Sequence, residues 1–379
     1  MKIIWKEIIL GFFWAYNFAV ITTQGSVYLE RNHNEKWVIG LHGASYYLSA
    51  GIASLFLPSV IRGFGTRTVL LIGISGAGLP AIVYCLVNQS SIWLLLRIIH
   101  GFFSAMTIIA MELLVFQKSA EESKAGNFGL FELSLAVGAG FGAIISPFLE
   151  NVYSGLAFYS SGIMAFFSLL FVPNNKGLLV TEGESNLSWE EFWKLMFFFG
   201  TAFTQGFLEG GILAYLNVSL MHQHYPDTQI SVIYAFMFIG IIVSMAFITR
   251  FADYWGGRRV LFISHLVSFL ALMSINFVSI FPVWCGGLFF VGSAVGCQYA
   301  IALVEIGRFL NPTKQPSGNS MYLAFNCIGS VMGPLVLGGV LTTMSYDIIP
   351  LVLMFPVAVI IFGCSFKMMK KSRNGLGNG

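Results

Sequence analysis

Charged residues are scarce in this chain of 379 residues. Asp, Glu, Lys and Arg make up only 10% of it, whereas 56% is hydrophobic. A soluble domain carries roughly 25% charged residues, because a surface that faces water needs them. The composition therefore excludes a soluble protein of this length.

Sequence signals for enzymes and for metal or nucleotide sites are also missing. We find no phosphate-binding loop, no pair of carboxylates in a soluble segment and no loop long enough for a nucleotide-binding domain. The cysteines lie in apolar runs without CxxC or Cys/His metal spacing, so we interpret them as small apolar residues. We therefore predict no enzymatic activity, no cofactor, no metal and no nucleic-acid partner. The five cysteines are Cys85, Cys285, Cys297, Cys327 and Cys364.

Long apolar runs, separated by short polar breaks, are what the sequence has in abundance. A helix of about 20 such residues crosses a hydrocarbon core of roughly 30 Å at about 1.5 Å per residue. We predict an all-α integral membrane protein with twelve transmembrane helices in a lipid bilayer. The predicted spans are 7–28, 38–58, 68–87, 91–116, 127–149, 154–173, 192–220, 230–249, 259–278, 282–307, 318–343 and 347–366.

The distribution of Lys and Arg predicts the orientation, because short cytoplasmic loops carry an excess of both. With the N-terminus inside, 17 of the 20 basic residues fall in inside segments and 2 in outside segments, while Arg97 lies within a span. We therefore predict cytoplasmic termini in a bacterial cytoplasmic (inner) membrane. The longest polar segment divides the spans six and six. The predicted units are an N-terminal bundle 1–173, a cytoplasmic linker 174–191, and a C-terminal bundle 192–379 with a short basic tail.

The two halves contain similar segments. Arg62–Gly73 reads RGFGTRTVLLIG and Asp253–Ser264 reads DYWGGRRVLFIS, each after the second span of its half and 191 residues apart. In both, a glycine (Gly65 or Gly256) lies close to basic residues just before an apolar span. The fifth span of each half also carries a small-residue and proline pattern, which permits a kink and close helix crossing. The pattern matches Gly142, Ser146 and Pro147 of the first half with Gly329, Gly333 and Pro334 of the second, in that order.

These motifs resemble those of the major facilitator superfamily over essentially the whole chain. Residues 252–259 (ADYWGGRR) resemble the family's loop signature, although Arg62 occupies the place of its Asp in the first half. Residues 94–101 (LLLRIIHG) resemble the fourth-span motif, with His100 where Gln is usual. Residues 329–339 (GSVMGPLVLGG) resemble the Gly-Pro motif of the antiporter branch, which is usually in span five. The resemblance implies two six-helix bundles and alternating access, without ATP.

The resemblance also implies a network of charges at the inner end that latches the protein when its pore faces outward. Alternatively, the basic residues only follow the orientation rule. The candidates are Asp253, Arg258 and Arg259 with Glu305 and Arg308 as partners in the C-terminal half, and Arg62 and Arg67 with Glu112 or Glu132 as partners in the N-terminal half.

Charges inside predicted spans mark candidate functional sites, because a lipid-facing charge is costly. Arg97 and His100, three residues apart on one helix face, are candidates for proton or substrate handling. A structural arginine that bonds carbonyls or reaches the outer interface is the alternative. Glu209, the most central acid, lies among glycines and is a candidate for proton or substrate coupling, or else a structural acid paired with another span.

Polar side chains in spans one, seven and ten complete the predicted site, since these spans line the cavity in the family that the chain resembles. Interhelical hydrogen bonds with no ligand are the alternative for each of them. They are Asn17, Thr22, Thr23, Gln24, Gln205, Asn217 and Gln298.

The sequence thus predicts a monomeric secondary transporter of a small molecule. Proton-coupled efflux of a drug, siderophore or metabolite is the first hypothesis, resting on the Gly-Pro motif and on the lack of a dense polar sugar-type cluster. Proton-coupled or facilitated uptake of a nutrient or siderophore is the second. A non-transporting membrane sensor is the third, although its buried charges would then be kept without use.

Overall fold

Helices make up nearly all of the computed structural model, which describes residues 4–119, 124–174, 187–311 and 314–375. Most of the predicted linker 174–191 lies outside this description. All twelve predicted spans are helices, here α1 to α12, and no strand occurs in the described ranges. Their bounds are Trp5–Arg31, Lys36–Phe64, Thr66–Tyr84, Ser90–Lys118, Lys124–Val152, Leu156–Ser168, Trp189–His222, Asp227–Trp255, Gly257–Phe277, Phe281–Phe309, Gln315–Leu341 and Ile349–Gly375.

Three helices of the described chain depart from simple α geometry. A 3₁₀ turn at Leu169–Phe171 follows α6, and another at Tyr346–Ile348 leads into α12. The helix α8 consists of Asp227–Val243, a π-helical turn at Ser244–Ile248, and Thr249–Trp255. By length and composition, nine helices of the described chain could cross a membrane, and α6 is a shorter apolar helix. The predicted fold class is confirmed: the chain is an all-α, multi-pass membrane protein.

The loops after the second span of each half turn at a single glycine. Gly65 separates α2 from α3 with φ +78°, and Gly256 separates α8 from α9 with φ +85°. Only glycine adopts this conformation without a steric penalty, which explains why both segments carry one there. The loops at the opposite end repeat as well, because His33 and His224, again 191 residues apart, are the two non-glycine residues with positive φ in the described chain.

Helix packing follows the same 191-residue repeat. A Cβ added to Gly138 on α5 would lie 2.2 Å from the Phe12 carbonyl oxygen on α1. A Cβ added to Gly329 on α11 would lie 2.0 Å from the Phe203 carbonyl oxygen on α7. Both residues of the second pair are 191 positions after those of the first. The two halves therefore share one scaffold, held by glycines that let backbones approach closely.

This register corrects the predicted match of the fifth spans. Gly142 contacts the Tyr16 carbonyl oxygen, and its counterpart Gly333 contacts the Phe207 carbonyl oxygen. The sequence comparison had matched Gly142 with Gly329, which is wrong by four residues, or one helical turn. A small residue recurs every turn on these helix faces, so the pattern alone did not fix the register.

The two halves meet at the end opposite the chain termini, which the predicted orientation places outside and which we call the outer end. There α2 packs on α11, α5 on α8 and α1 on α7. A Cβ on Gly40 would lie 2.4 Å from the Pro334 carbonyl oxygen. The Tyr215 hydroxyl donates a hydrogen bond of 2.6 Å to the Lys36 carbonyl oxygen. These contacts close the outer end.

Charged and aromatic side chains reinforce this closure. Oε1 of Glu30 on α1 lies 2.6 Å from Nε2 of His222 on α7. The His222 ring stacks on Tyr346 with centroids 4.3 Å apart, and the Lys36 ammonium lies 4.5 Å from the centre of the same Tyr346 ring. Asn151 on α5 donates to Asp227 on α8 at 2.8 Å.

At the inner end, each half instead carries its own ion pairs. Lys118 on α4 pairs with the buried Glu7 on α1. Lys314, just before α11, donates to both Glu191 oxygens on α7, at 2.8 and 2.9 Å. In the described chain, α4 and α10 form no packed interface across the centre. The two halves are therefore closed against each other at the outer end and parted at the inner end.

Candidate functional site

A buried cluster surrounds Arg97 in the outer part of the N-terminal half. Arg97 on α4 has no exposed surface. It donates to the Thr22 hydroxyl of α1 at 2.6 Å and contacts Nδ1 of His100 at 3.0 Å. Its guanidinium also lies 4.6 Å from the centre of the Tyr46 ring on α2. The arginine therefore faces the bundle interior and does not extend to the outer interface.

The hydrogen bonds of His100 fix its tautomer. An arginine can only donate, so Nδ1 of His100 must accept. Nε2 then carries the proton and donates to Oδ1 of Asn17 at 2.8 Å. The Asn17 amide donates in turn to the Ser161 hydroxyl of α6 at 2.7 Å. In this state His100 is neutral and its two nitrogens are both engaged.

Sequence analysis missed a second histidine beside this cluster. His42 on α2 is buried and lies 3.4 Å from the Tyr84 hydroxyl. It is within electrostatic range of both Arg97 and His100. An isolated histidine between glycines in an apolar span gives no sequence signal of this proximity.

The predicted polar residues of spans seven and ten make interhelical hydrogen bonds in the C-terminal half. Gln205 on α7 accepts from the Tyr322 hydroxyl of α11 at 2.8 Å. Gln298 on α10 donates to Ser264 on α9 at 3.2 Å. His265, which sequence analysis also missed, lies 3.1 Å from the Thr201 hydroxyl.

Two further predicted residues lie near the closed outer end. Gln24 donates to the Ser146 hydroxyl at 2.9 Å, joining α1 to α5. Asn217 on α7 donates to the Thr23 carbonyl oxygen of α1 at 3.5 Å, and its own Oδ1 has no partner in the described chain. They line a small space together with Pro147. These residues therefore help to join the halves where the outer end closes.

Three carboxylates from both halves form the most distinctive group in the interior. Glu112 lies on α4, Glu132 on α5 and Glu209 on α7. Each carboxylate side chain is partly exposed, and the residues on both sides of Glu209 in the sequence are buried. The exposed parts of the three carboxylates therefore face a space within the protein. The charges of Glu112 and Glu209 both act on Glu132. None of the three makes a hydrogen bond or ion pair within the described residues.

Aromatic side chains share this space. Tyr47 on α2 is within electrostatic range of Glu209, and its buried hydroxyl has no partner in the described chain. Tyr299 on α10 is in range of Glu112 and Glu132. Sequence analysis singled out neither tyrosine, because both occur in uniformly apolar spans. The interior site therefore combines acids and aromatic rings from α2, α4, α5, α7 and α10.

The predicted charge network at the inner end is only partly brought together. Glu305 and Arg308 on α10 are paired at 2.8 Å. The side chain of Asp253 lies outside the described residues. Glu112 and Glu132 group with Glu209 in the interior, which differs from the predicted pairing with the basic residues of the first loop. Of the basic candidates in both halves, Arg62 donates to the Ser59 hydroxyl, and Arg67, Arg258 and Arg259 are exposed.

Comparisons with known proteins agree with this architecture. The family model described as Major Facilitator Superfamily matches residues 8–226 and 198–375. The chain is 26% identical over 323 residues to the uncharacterized MFS-type transporter YfkF of Bacillus subtilis (strain 168), covering 83% of this chain and 82% of that protein. It is 22% identical over 316 residues to the quinolone resistance protein NorA of Staphylococcus aureus (strain MRSA252), covering 79% and 80%.

Solved structures share the fold at low identity. The nucleoside transporter NupG matches with a TM-score of 0.76 and 18% identity, over 96% of this chain and 98% of that one. The human organic anion transporter MFSD10 matches with a TM-score of 0.70 and 14% identity, over 95% and 98%. At such identities the likeness concerns the fold alone.

Proposed function

This chain belongs to the major facilitator superfamily and is a membrane transporter of small molecules; from that premise we propose that it exports an amphipathic organic cation in exchange for protons. The three interior carboxylates, Glu112, Glu132 and Glu209, carry the proposal. They have no basic partner in the described chain, so a bound cation or bound protons must balance their charge. Ionisable residues at membrane depth are costly to keep unless they serve such a role.

Exchange follows from competition for the same oxygens. A carboxylate that holds a proton is neutral and attracts a cation weakly, whereas an ionised one attracts it strongly in a medium of low dielectric constant. A cation that enters from the inner side therefore releases protons from Glu209, Glu132 or Glu112. When the site faces outward, protons displace the cation. The partly exposed rings of Tyr47 and Tyr299 would cover the apolar part of the substrate, and an aromatic face also attracts cations.

Export is supported by what the chain resembles. A state with a closed outer end and parted inner ends opens the site to the inside, which loading by an exporter and release by an importer both require. The similarity to a protein named for quinolone resistance, together with the Gly-Pro motif at Gly333 and Pro334, favours removal of a foreign compound over uptake of a nutrient.

The experiment is proton release from purified protein when tetraphenylphosphonium, a lipophilic cation, is added. We expect the wild type to release protons and Glu209→Gln to release fewer, with substrate binding weakened about tenfold or more because a desolvated ion pair is lost. Glu190→Gln is the matched control, since it removes the same charge from an exposed position at the start of α7. It should behave like the wild type.

Transport in proteoliposomes then tests direction and coupling. With the outer side acidic, we expect the cation to accumulate on that side, and dissipation of the pH gradient should stop it. Preference for neutral or anionic analogues would overturn the cation assignment. Exchange without proton movement would indicate facilitated transport, and no counterflow of any compound would favour a sensor.

A further inference from the structure

A large groove at the inner end of the C-terminal half has no role in the proposed transport reaction. Its volume is about 810 Å³, and it lies where the inner ends of α7, α9 and α10 come together. Trp189 and Trp193 at the start of α7 are 73% and 49% exposed, and Phe309 at the end of α10 is 48% exposed. Large aromatic side chains at this level are typical of the interface between headgroups and acyl chains.

The same place in the N-terminal half is closed by an ion pair. There Lys118 on α4 pairs with the buried Glu7 on α1. Their counterparts at the 191-residue offset are Phe309 and Phe198, which both line the groove. The shared scaffold therefore does not require an opening, and the C-terminal half has an apolar groove where its counterpart has a salt bridge.

Among the described residues, the charged rim of the groove has one cation that no acid neutralises. Lys194 is paired with Glu190 at 2.5 Å, and Arg308 is paired with Glu305 at 2.8 Å. Arg258 contacts the face of the Phe197 ring at 5.3 Å and has no carboxylate partner in the part of the chain that the structure describes. The groove thus offers a positive charge beside an apolar lining.

We propose that this groove binds the headgroup of an anionic phospholipid of the inner leaflet. The lipid phosphate would lie at Arg258 and its acyl chains against Trp193 and Phe309. Basic pockets between helices on the cytoplasmic side suit such headgroups. A free anion would satisfy Arg258 but would leave the aromatic lining exposed to water, so the combination favours a lipid.

The groove is fixed on both sides, so binding does not require folding. The Ser188 hydroxyl and the Glu191 carboxylate form a reciprocal cap on α7, and Lys314 holds the same carboxylate. On the other side, a Cβ on Gly257 would lie 2.6 Å from the Glu305 side chain, so α10 is packed directly against the start of α9. A lipid here would contact the turn at Gly256, between α8 and the start of α9 with Arg258, and thereby influence the inner end.

Native mass spectrometry can test this with a mixture of phosphatidylglycerol and phosphatidylcholine of equal acyl chains. We expect the wild type to retain phosphatidylglycerol preferentially. Arg258→Gln should lower that retention about fivefold, the weight of one basic residue at an anionic membrane surface. Arg67→Gln, at the equivalent position of the N-terminal half, is the matched control and should have no effect. Phe309→Glu, which adds a negative charge within the groove, should lower retention at least as much as Arg258→Gln.

Several outcomes would overturn the assignment. Equal retention of the two lipids by the wild type would do so, and so would equal losses in Arg67→Gln and Arg258→Gln. Displacement of the lipid by millimolar inorganic phosphate would show that the site binds a free anion. Transport of the cation is read out separately, so its failure would leave this proposal standing.

Discussion

The N-terminal and C-terminal halves share a backbone scaffold but not its chemistry. The glycine contacts of α5 on α1 recur in α11 on α7 at an offset of 191 residues, with the same carbonyl partners. The ionisable residues of the interior do not recur. The counterparts of Arg97, Glu112, Glu132 and Glu209 are Leu288, Leu303, Leu323 and Phe18.

This difference separates what the fold needs from what the function needs. Small residues at the helix crossings occur in both halves, because close backbone contact requires them wherever the scaffold repeats. A charge that occurs in one half only cannot be a requirement of that scaffold. We therefore expect changes at the repeated helix crossings to affect folding and changes at the unrepeated ionisable residues of the interior to affect transport.

The largest effect is expected at the repeated glycines. Gly138→Val and Gly329→Val should each destabilise the folded protein by about 1–3 kcal/mol or more, since a side chain would meet a carbonyl oxygen that cannot move aside. Thermal unfolding in detergent measures this. Gly339→Val is the control on α11, because nothing lies within 4 Å of its added Cβ. Similar losses of stability in the two halves would support a shared packing scaffold, and a loss in only one half would contradict it.

Arg97→Leu should separate transport from stability. It introduces the residue found at the equivalent position of the C-terminal half and removes a buried charge that no carboxylate balances in the described chain. Replacing buried charge by well-packed apolar groups is often neutral or stabilising, so we expect the unfolding temperature to stay close to that of the wild type. Transport should fall about tenfold, which corresponds to about 1.4 kcal/mol of the barrier. A stable variant with full transport would show that Arg97 is dispensable.

The smallest effect is expected at the cap of α7, which α1 lacks in the described chain. Glu191 lies before the predicted span, and the Lys314 ammonium together with Ser188 lowers the pKa of its carboxyl to about 2. A lowered pKa stabilises the fold above the ordinary carboxyl range, and this contribution is lost as the pH falls towards about 2. Glu191→Gln should therefore lower the unfolding temperature slightly at pH 7 and flatten its decline in acid. An unchanged acid profile would contradict this.

Much of the fold could be predicted from the sequence, because apolar length alone identifies a membrane span. All twelve spans were found, although α2 continues to Phe64 and α12 to Gly375, beyond the predicted ends at 58 and 366. The predicted linker 174–191 lies mostly outside the described residues and stays a prediction. The predicted register of the repeat in the fifth spans was wrong by one helical turn. Glycines four residues apart align equally well when one half is shifted by four residues against the other.

The site was less predictable, because uniformly apolar helices do not reveal which face points inward. Glu209 was singled out by its central position in a predicted span and by the glycines around it. Glu112 and Glu132, near the inner ends of spans four and five, were predicted to pair with Arg62 and Arg67, and the structure groups them with Glu209 instead. His42, Tyr47, His265 and Tyr299 gave no signal, because their proximity to the site depends on the packing of separate helices.

The π-helical turn in α8 gives the two halves different mechanics. The corresponding helix α2 is α-helical from Lys36 to Phe64, whereas α8 widens at Ser244–Ile248, where α10 packs against it through Gly296. Such a turn holds one extra residue, and its loss or gain rotates everything beyond it by about 100°. The segment beyond it, Thr249–Trp255, is followed by the turn at Gly256 and then by α9, which begins with Arg258 in its first turn. In the first half, α2 therefore moves as one rigid helix. In the second half, the inner segment of α8 can rotate about the π-helical turn while its outer segment keeps its position.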